Sequence, residues 1–121
     1  MLNFIFGSMI FKEDDLQKAV ATYLDLKNVL WFHPPLERKT SFQAGARLKK
    51  KGVKSGVPDC LIFEPRGLFY SGLAIELKIK PNKVSTNQKE WLTSLKNNKW
   101  CVGVAYSFDE AKDIIDKYLN L

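Results

Sequence analysis

A chain of 121 residues with 45% apolar side chains fits a single folded domain, residues 1–121, with apolar content enough for a core of its own. No apolar run reaches the roughly 18 residues that a helical membrane span needs, so none is expected. The net charge of +6, from 19 basic and 13 acidic residues, favours a polyanionic partner.

Met1 to Phe11 is apolar but short. It has no basic lead and runs into Lys12-Glu13-Asp14-Asp15. It reads as a strand, as an arm over residues 1–12 that packs on a partner, or as a stretch upstream of a second start at Met9, and not as a signal peptide. Glu13 to about Lys27 is the first helix, because Leu16, Ala19, Val20, Tyr23 and Leu24 recur at helical spacing. Glu13, Asp14 and Asp15 crowd its first turn, where acids suit the positive end of the helix dipole. Glu13 and Gln17, four apart, share a face. Val29 to His33 is a short strand stopped by Pro34-Pro35. His33 is the only histidine, and no second one supports it as a metal ligand.

Between Pro34 and Gly56 stand seven basic residues, Arg38, Lys39, Arg47, Lys49, Lys50, Lys51 and Lys54, against the single acid Glu37. That segment therefore holds the whole positive excess. Its chemistry suits phosphate contact with nucleic acid through Arg38, Lys39, Arg47, Lys50, Lys51 and Lys54; a solvated basic helix face is the plainer alternative. Ser41 to Lys51 has the form of a helix, with Ser41 as N-cap, Phe42 and Leu48 as apolar anchors and Gly52 just past its end. Gly52 and Gly56 suit either close backbone approach to metal or phosphate, or simple turns.

Two strand-like runs follow. Gly56-Val57-Pro58-Asp59-Cys60-Leu61-Ile62-Phe63 is joined through Glu64-Pro65-Arg66-Gly67 to Leu73-Ala74-Ile75-Glu76-Leu77-Lys78-Ile79-Lys80, the pattern of a hairpin. Strand alternation puts Leu73, Ile75, Leu77 and Ile79 on one face and Ala74, Glu76, Lys78 and Lys80 on the other. Pro81-Asn82 ends the run. Ser85-Thr86-Asn87-Gln88 is a capping box opening a helix to about Asn97, with Trp91, Leu92 and Leu95 on its buried face. Lys83 and Lys89 flank it, suited to solubility or to phosphate. Trp100 to Ala105 is a continuous apolar run fit for a buried strand. Ser107-Phe108-Asp109-Glu110 is a second capping box, and Ala111, Ile114, Ile115, Tyr118 and Leu119 form the stripe of a closing helix. Cys60 and Cys101 lie in apolar runs and read as buried free thiols. Nothing in their spacing marks a zinc site or an oxidising compartment, so the cytoplasm is expected. The order α-β-α-β-β-α-β-α gives an α/β fold with a mixed sheet flanked by helices.

Pairing of the two runs brings Asp59 towards Glu76. Two carboxylates so placed repel, and neither gives up water readily. A divalent cation resolves this: hard ions such as Mg²⁺ or Mn²⁺ take carboxylates, waters and substrate phosphate as ligands. Such an ion polarises a phosphodiester and acidifies bound water. Lys78, two residues from Glu76 on the same face, suits a cation that holds charge or positions water rather than a general base.

At these residues the chain resembles a known family. Pro58-Asp59, followed after sixteen residues by Glu76-Leu77-Lys78, is similar to the PD-(D/E)XK nuclease signature. The longer string Gly52-Val53-Lys54-Ser55-Gly56-Val57-Pro58-Asp59 resembles the VRR-NUC branch, virus-type replication and repair nuclease domains found as small stand-alone phage proteins and as modules of larger nucleases. The resemblance spans roughly Glu13 to Leu119. It implies a restriction-endonuclease-like core and a Mg²⁺- or Mn²⁺-dependent deoxyribonuclease. Asp59, Glu76 and the Leu77 carbonyl would hold the metal, and Lys78 would act in catalysis. It implies further that Glu13, on the first helix, points into the metal site, with Gln17 as companion and Asp14 as rival if the register slips. Helix-terminal charge explains Glu13 as well. Gln88 matches a glutamine that borders the active site, although reciprocal capping accounts for it equally. The family's His-x-Pro-Asn stretch is here His33-Pro34-Pro35-Leu36, without the asparagine. Small phage members are similar to homodimers that cut branched DNA such as four-way junctions, which implies DNA repair or recombination in a host-cell cytoplasm. A non-catalytic DNA-binding module on the same fold, and a nuclease subunit that needs a partner, are the alternatives.

Overall fold

The computed structural model describes residues 12–35 and 42–121. The N-terminal arm over residues 1–11, the DNA contacts expected at Arg38 and Lys39, and the Ser41 cap lie outside the described residues.

Helix α1, Glu13–Leu26, has Lys12 as its N-cap. The Lys12 N–H donates to Asp15 Oδ2 at 3.2 Å, so the acidic first turn satisfies one of the helix's own orphan donors. The expected stripe is the buried one, with Leu16, Val20 and Leu24 all at 0% exposure. Strand β1, Trp31–Phe32, pairs antiparallel with β2, Cys60–Ile62, and β2 pairs antiparallel with β3, Gly72–Leu77. Helix α2, Phe42–Lys50, stands between β1 and β2 in the chain. Helix α3, Thr86–Asn97, crosses over from β3 to β4, Trp100–Ala105, which lies parallel to β3, and α4, Phe108–Leu119, closes the chain. The sheet order is β1-β2-β3-β4, and the order of elements is the expected one.

The strands are shorter than the apolar runs that signalled them. Pro58 and Asp59 precede β2, and β3 ends at Leu77, ahead of Lys78. Alternation along β3 works as anticipated. Leu73, Ile75 and Leu77 join Cys60 and Ile62 of β2, the α1 stripe, and Ala111, Ile115 and Tyr118 of α4 in the main core. Ala74 and Glu76 take the opposite face, and that face is buried too, because α3 packs over β3 and β4. Glu76 is thus a carboxylate inside the molecule, at 2% exposure.

Four local expectations change. Trp100–Ala105 is half-buried rather than buried: α3 and α4 pack on it, but it is the edge of the sheet, and no fifth strand covers its outer side among the described residues. The second capping box is only half made. Ser107 Oγ accepts from the Glu110 N–H at 3.1 Å, whereas Glu110 Oε1 reaches past Ser107 to the Tyr106 N–H at 2.7 Å. Trp91, Leu92 and Leu95 are half-buried rather than buried, and Trp91 lines a cleft toward α2. Cys60 is a buried free thiol, Cys101 a half-buried rather than a buried one, and β3 runs between their strands.

Candidate active site

The first capping box of α3 is complete, and it does more than cap. Ser85 Oγ accepts from the Gln88 N–H at 3.2 Å, and Gln88 Oε1 accepts from the Ser85 N–H at 2.8 Å. The other end of the same amide, Gln88 Nε2, donates to Glu76 Oε2 at 2.9 Å. Capping and a place beside Glu76 were rival explanations of Gln88; one side chain does both.

Asp59 leaves the loop before β2 with its Oδ2 accepting from the Leu77 N–H at 2.7 Å. Its own backbone carbonyl lies 2.7 Å from His33 Nδ1, so His33 steadies the loop that carries the aspartate. Lys78 Nζ stands 3.9 Å from Glu76 Oε2. Asp59, Glu76 and Lys78 are therefore brought together as the hairpin pairing implied. The bend that delivers Asp59 is set by Gly56, at φ +88°. A Cβ there would lie 2.8 Å from the Asn87 carbonyl carbon. The close approach expected of Gly56 is thus to the first turn of α3, and Asn87 Nδ2 donates to Ser55 Oγ at 3.0 Å across the same seam.

Burial, the neighbouring Asp59 charge and a hydrogen bond shared with Asp59 push the Glu76 carboxyl up to about 8, against the pull of Lys78. Glu13 adds a smaller upward push, so the first helix does bring its glutamate within electrostatic reach of Glu76. Asp59 is raised as well, chiefly by burial, while the Leu77 N–H, Glu76, His33 and Lys78 all act to lower it. Glu76 Oε1 is buried and has no hydrogen-bond partner. A buried carboxylate oxygen without a donor is costly unless a cation or a proton meets it. The hard oxygen donors of Asp59 and Glu76 fit Mg²⁺ or Mn²⁺, which take one or two carboxylates and complete the shell with water and phosphate. Among the described residues no three acidic, histidine or cysteine side chains converge tightly enough to hold an ion, so the pair stands without Glu13 as a third close ligand.

Of the expected DNA contacts, Arg47, Lys50, Lys51 and Lys54 are exposed on α2 and the loop after it. Gln17 points elsewhere: its Nε2 donates to Cys60 Sγ at 3.7 Å, and burial pushes that thiol up to about 12. Sequence reasoning gave no role to Ser55 or Asn87, which join the Asp59 loop to α3. Their contact links residues 32 apart, and nothing local announces it.

The VRR-NUC domain model matches residues 12–109. Among solved structures, a protein described as a VRR_NUC domain protein is 29% identical, with a TM-score of 0.78 over 92% of this chain and 90% of its own. A second, described as a VRR_NUC domain, is 23% identical and shares the fold, with a TM-score of 0.57 over 88% of this chain and 96% of its own. No curated protein matches. With the match covering both halves of the acidic pair, the lysine beside it and the elements that carry them, the chain belongs to the VRR-NUC domain family of nuclease-type proteins.

Proposed function

We propose that this protein is a Mg²⁺- or Mn²⁺-dependent DNA endonuclease, selective for branched DNA such as four-way junctions and acting as a homodimer. The Asp59–Glu76 pair, its glutamate buried with one oxygen unsatisfied and Lys78 alongside, carries the proposal. Asp59, fixed by the Leu77 N–H, and Glu76, fixed by the Gln88 amide, would hold the ion, with the Leu77 carbonyl as a further ligand and Glu13 adding negative charge from α1 rather than a close ligand oxygen. A bound Mg²⁺ or Mn²⁺ supplies Lewis-acid polarisation of the phosphodiester and an acidified water. Lys78 offsets negative charge growing on the phosphate oxygens, or orients the attacking water through its ammonium group. Gln88 keeps Glu76 aimed, and burial excludes competing water. Arg38, Lys39, Arg47, Lys50, Lys51 and Lys54 grip the sugar-phosphate backbone, which accounts for affinity without base readout. One site per chain and two strands to cut support a second copy.

The test is cleavage of a four-way junction and of linear duplex with Mn²⁺, Mg²⁺ or EDTA. The native chain cuts in metal and not in EDTA. Lys78→Ala loses about a hundredfold or more in rate. Glu76→Ala abolishes cutting while DNA is still bound. Cutting that persists in EDTA or in Glu76→Ala sinks the proposal, and binding with no cutting in either metal leaves a DNA-binding module.

A further inference from the structure

Helix α3 shows two adjacent stripes. Gln88, Leu92 and Leu95 follow one, and Gln88 on it meets Glu76. Asn87, Glu90, Trp91 and Ser94 follow the next, at spacings of three and four that place them on one side of the helix. This second stripe forms one wall of a cleft of about 560 Å³, and Lys49 of α2 with Lys54 and Ser55 of the following loop form the other. The volume is in the range of small-ligand sites. Gln88 and Asn87 are neighbours in sequence, so one helix carries both a wall of the cleft and the amide that meets Glu76.

The chemistry of the walls is selective. Lys49 and Lys54 supply two ammonium groups suited to a phosphate. Trp91 supplies a half-buried indole that lines the cleft. Aromatic faces stack on bases without regard to sequence. Glu90 is an acceptor for an exocyclic amine, and Asn87 and Ser94 supply both donors and acceptors. A simple anion would leave the indole unused.

We propose that this cleft is a subsite for one unpaired nucleotide of the DNA substrate, its phosphate against Lys49 and Lys54 and its base against Trp91. The assignment rests on the chain being a DNA nuclease, and it names what the enzyme would recognise in a flapped substrate: a base free of its partner. In a continuous duplex every base is paired and stacked, so the cleft stays unfilled. At a flap an unpaired base enters without the energy of unstacking.

The experiment measures binding of the full chain, in EDTA, to a fluorescein-labelled duplex carrying a single-nucleotide flap and to the same duplex fully paired. The native chain prefers the flapped duplex by about fivefold or more, the scale of one base–aromatic stack. Trp91→Ala erases the preference and Trp91→Phe keeps most of it. Ser94→Trp, which fills the cleft from an exposed helical position, erases it too and remains informative if Trp91→Ala does not fold. No preference in the native chain, or one that survives both Trp91→Ala and Ser94→Trp, overturns the proposal. Because binding is read without metal, a chain that shows the preference yet leaves DNA uncut in Mn²⁺ loses the nuclease assignment and keeps the subsite. A chain that cuts DNA with a preference indifferent to both positions loses the subsite alone.

Discussion

Raising the pH of the metal-free protein ionises Glu76 inside the fold. Its carboxyl rises from 4.5 to about 8 on folding. Between these values the folded chain keeps a proton that the unfolded chain has released, so stability falls as pH rises. The contribution is complete below about pH 4.5 and is lost as pH passes about 8. At about 1.36 kcal/mol per unit, that window sets a ceiling of about 5 kcal/mol. The raised Asp59 acts in the same direction. Half the ceiling lowers Tm by roughly 10 °C for a chain of this length. Glu76→Gln removes the titration but leaves an oxygen for the Gln88 amide, so in EDTA it melts higher than the native chain at pH 8 and level with it near pH 5. Mn²⁺ at pH 8 raises the native Tm, because it binds the ionised pair of the folded state. Glu76→Gln loses most of that response. Scanning calorimetry across this range decides the matter. A native Tm that is flat or rises from about pH 5 to 8 in EDTA, or a Glu76→Gln variant that follows the native curve, refutes the reasoning.

Gly56→Ala combines a left-handed φ with a Cβ pressed on the Asn87 backbone, and it lowers stability by about 2 kcal/mol or more, read from the denaturant midpoint. An unchanged midpoint shows that the seam has room to move. Ser85→Ala removes the acceptor for the Gln88 N–H and lowers stability by about 1 kcal/mol in thermal melts. Ile75→Ala, in the middle of β3 at 0% exposure, costs about 2–5 kcal/mol, whereas a truncation at the 93% exposed Leu68 moves the midpoint by less than about 0.5 kcal/mol.

Much of this was legible in the chain because it is local. Alternation placed Glu76 opposite the Leu73, Ile75 and Leu77 face, and helical spacing picked out Leu16, Val20 and Leu24. The Ser85–Gln88 pattern located the start of α3. What escaped depends on how elements meet. An apolar run such as Trp100–Ala105 does not say whether a further strand will pair beyond it, so its edge position was hidden. Glu110 had two backbone donors within reach, and sequence spacing alone favoured the wrong one. The seam between Ser55 and Asn87 and the cleft beside it exist only once α2 and α3 are set against each other. Gln88 was visible, but its two roles looked like competitors because only the folded chain shows that its amide faces two ways.

That amide has a chemical consequence. Deamidation of Gln88 would replace the nitrogen by a second oxygen. The new carboxylate could still accept from the Ser85 N–H, so the helix would keep its beginning, but wherever Glu76 is ionised it would confront that residue with a like charge where a donor had been. An aged molecule of this kind would be hard to tell from a fresh one by its helix content, while its acidic cluster would hold one carboxylate too many.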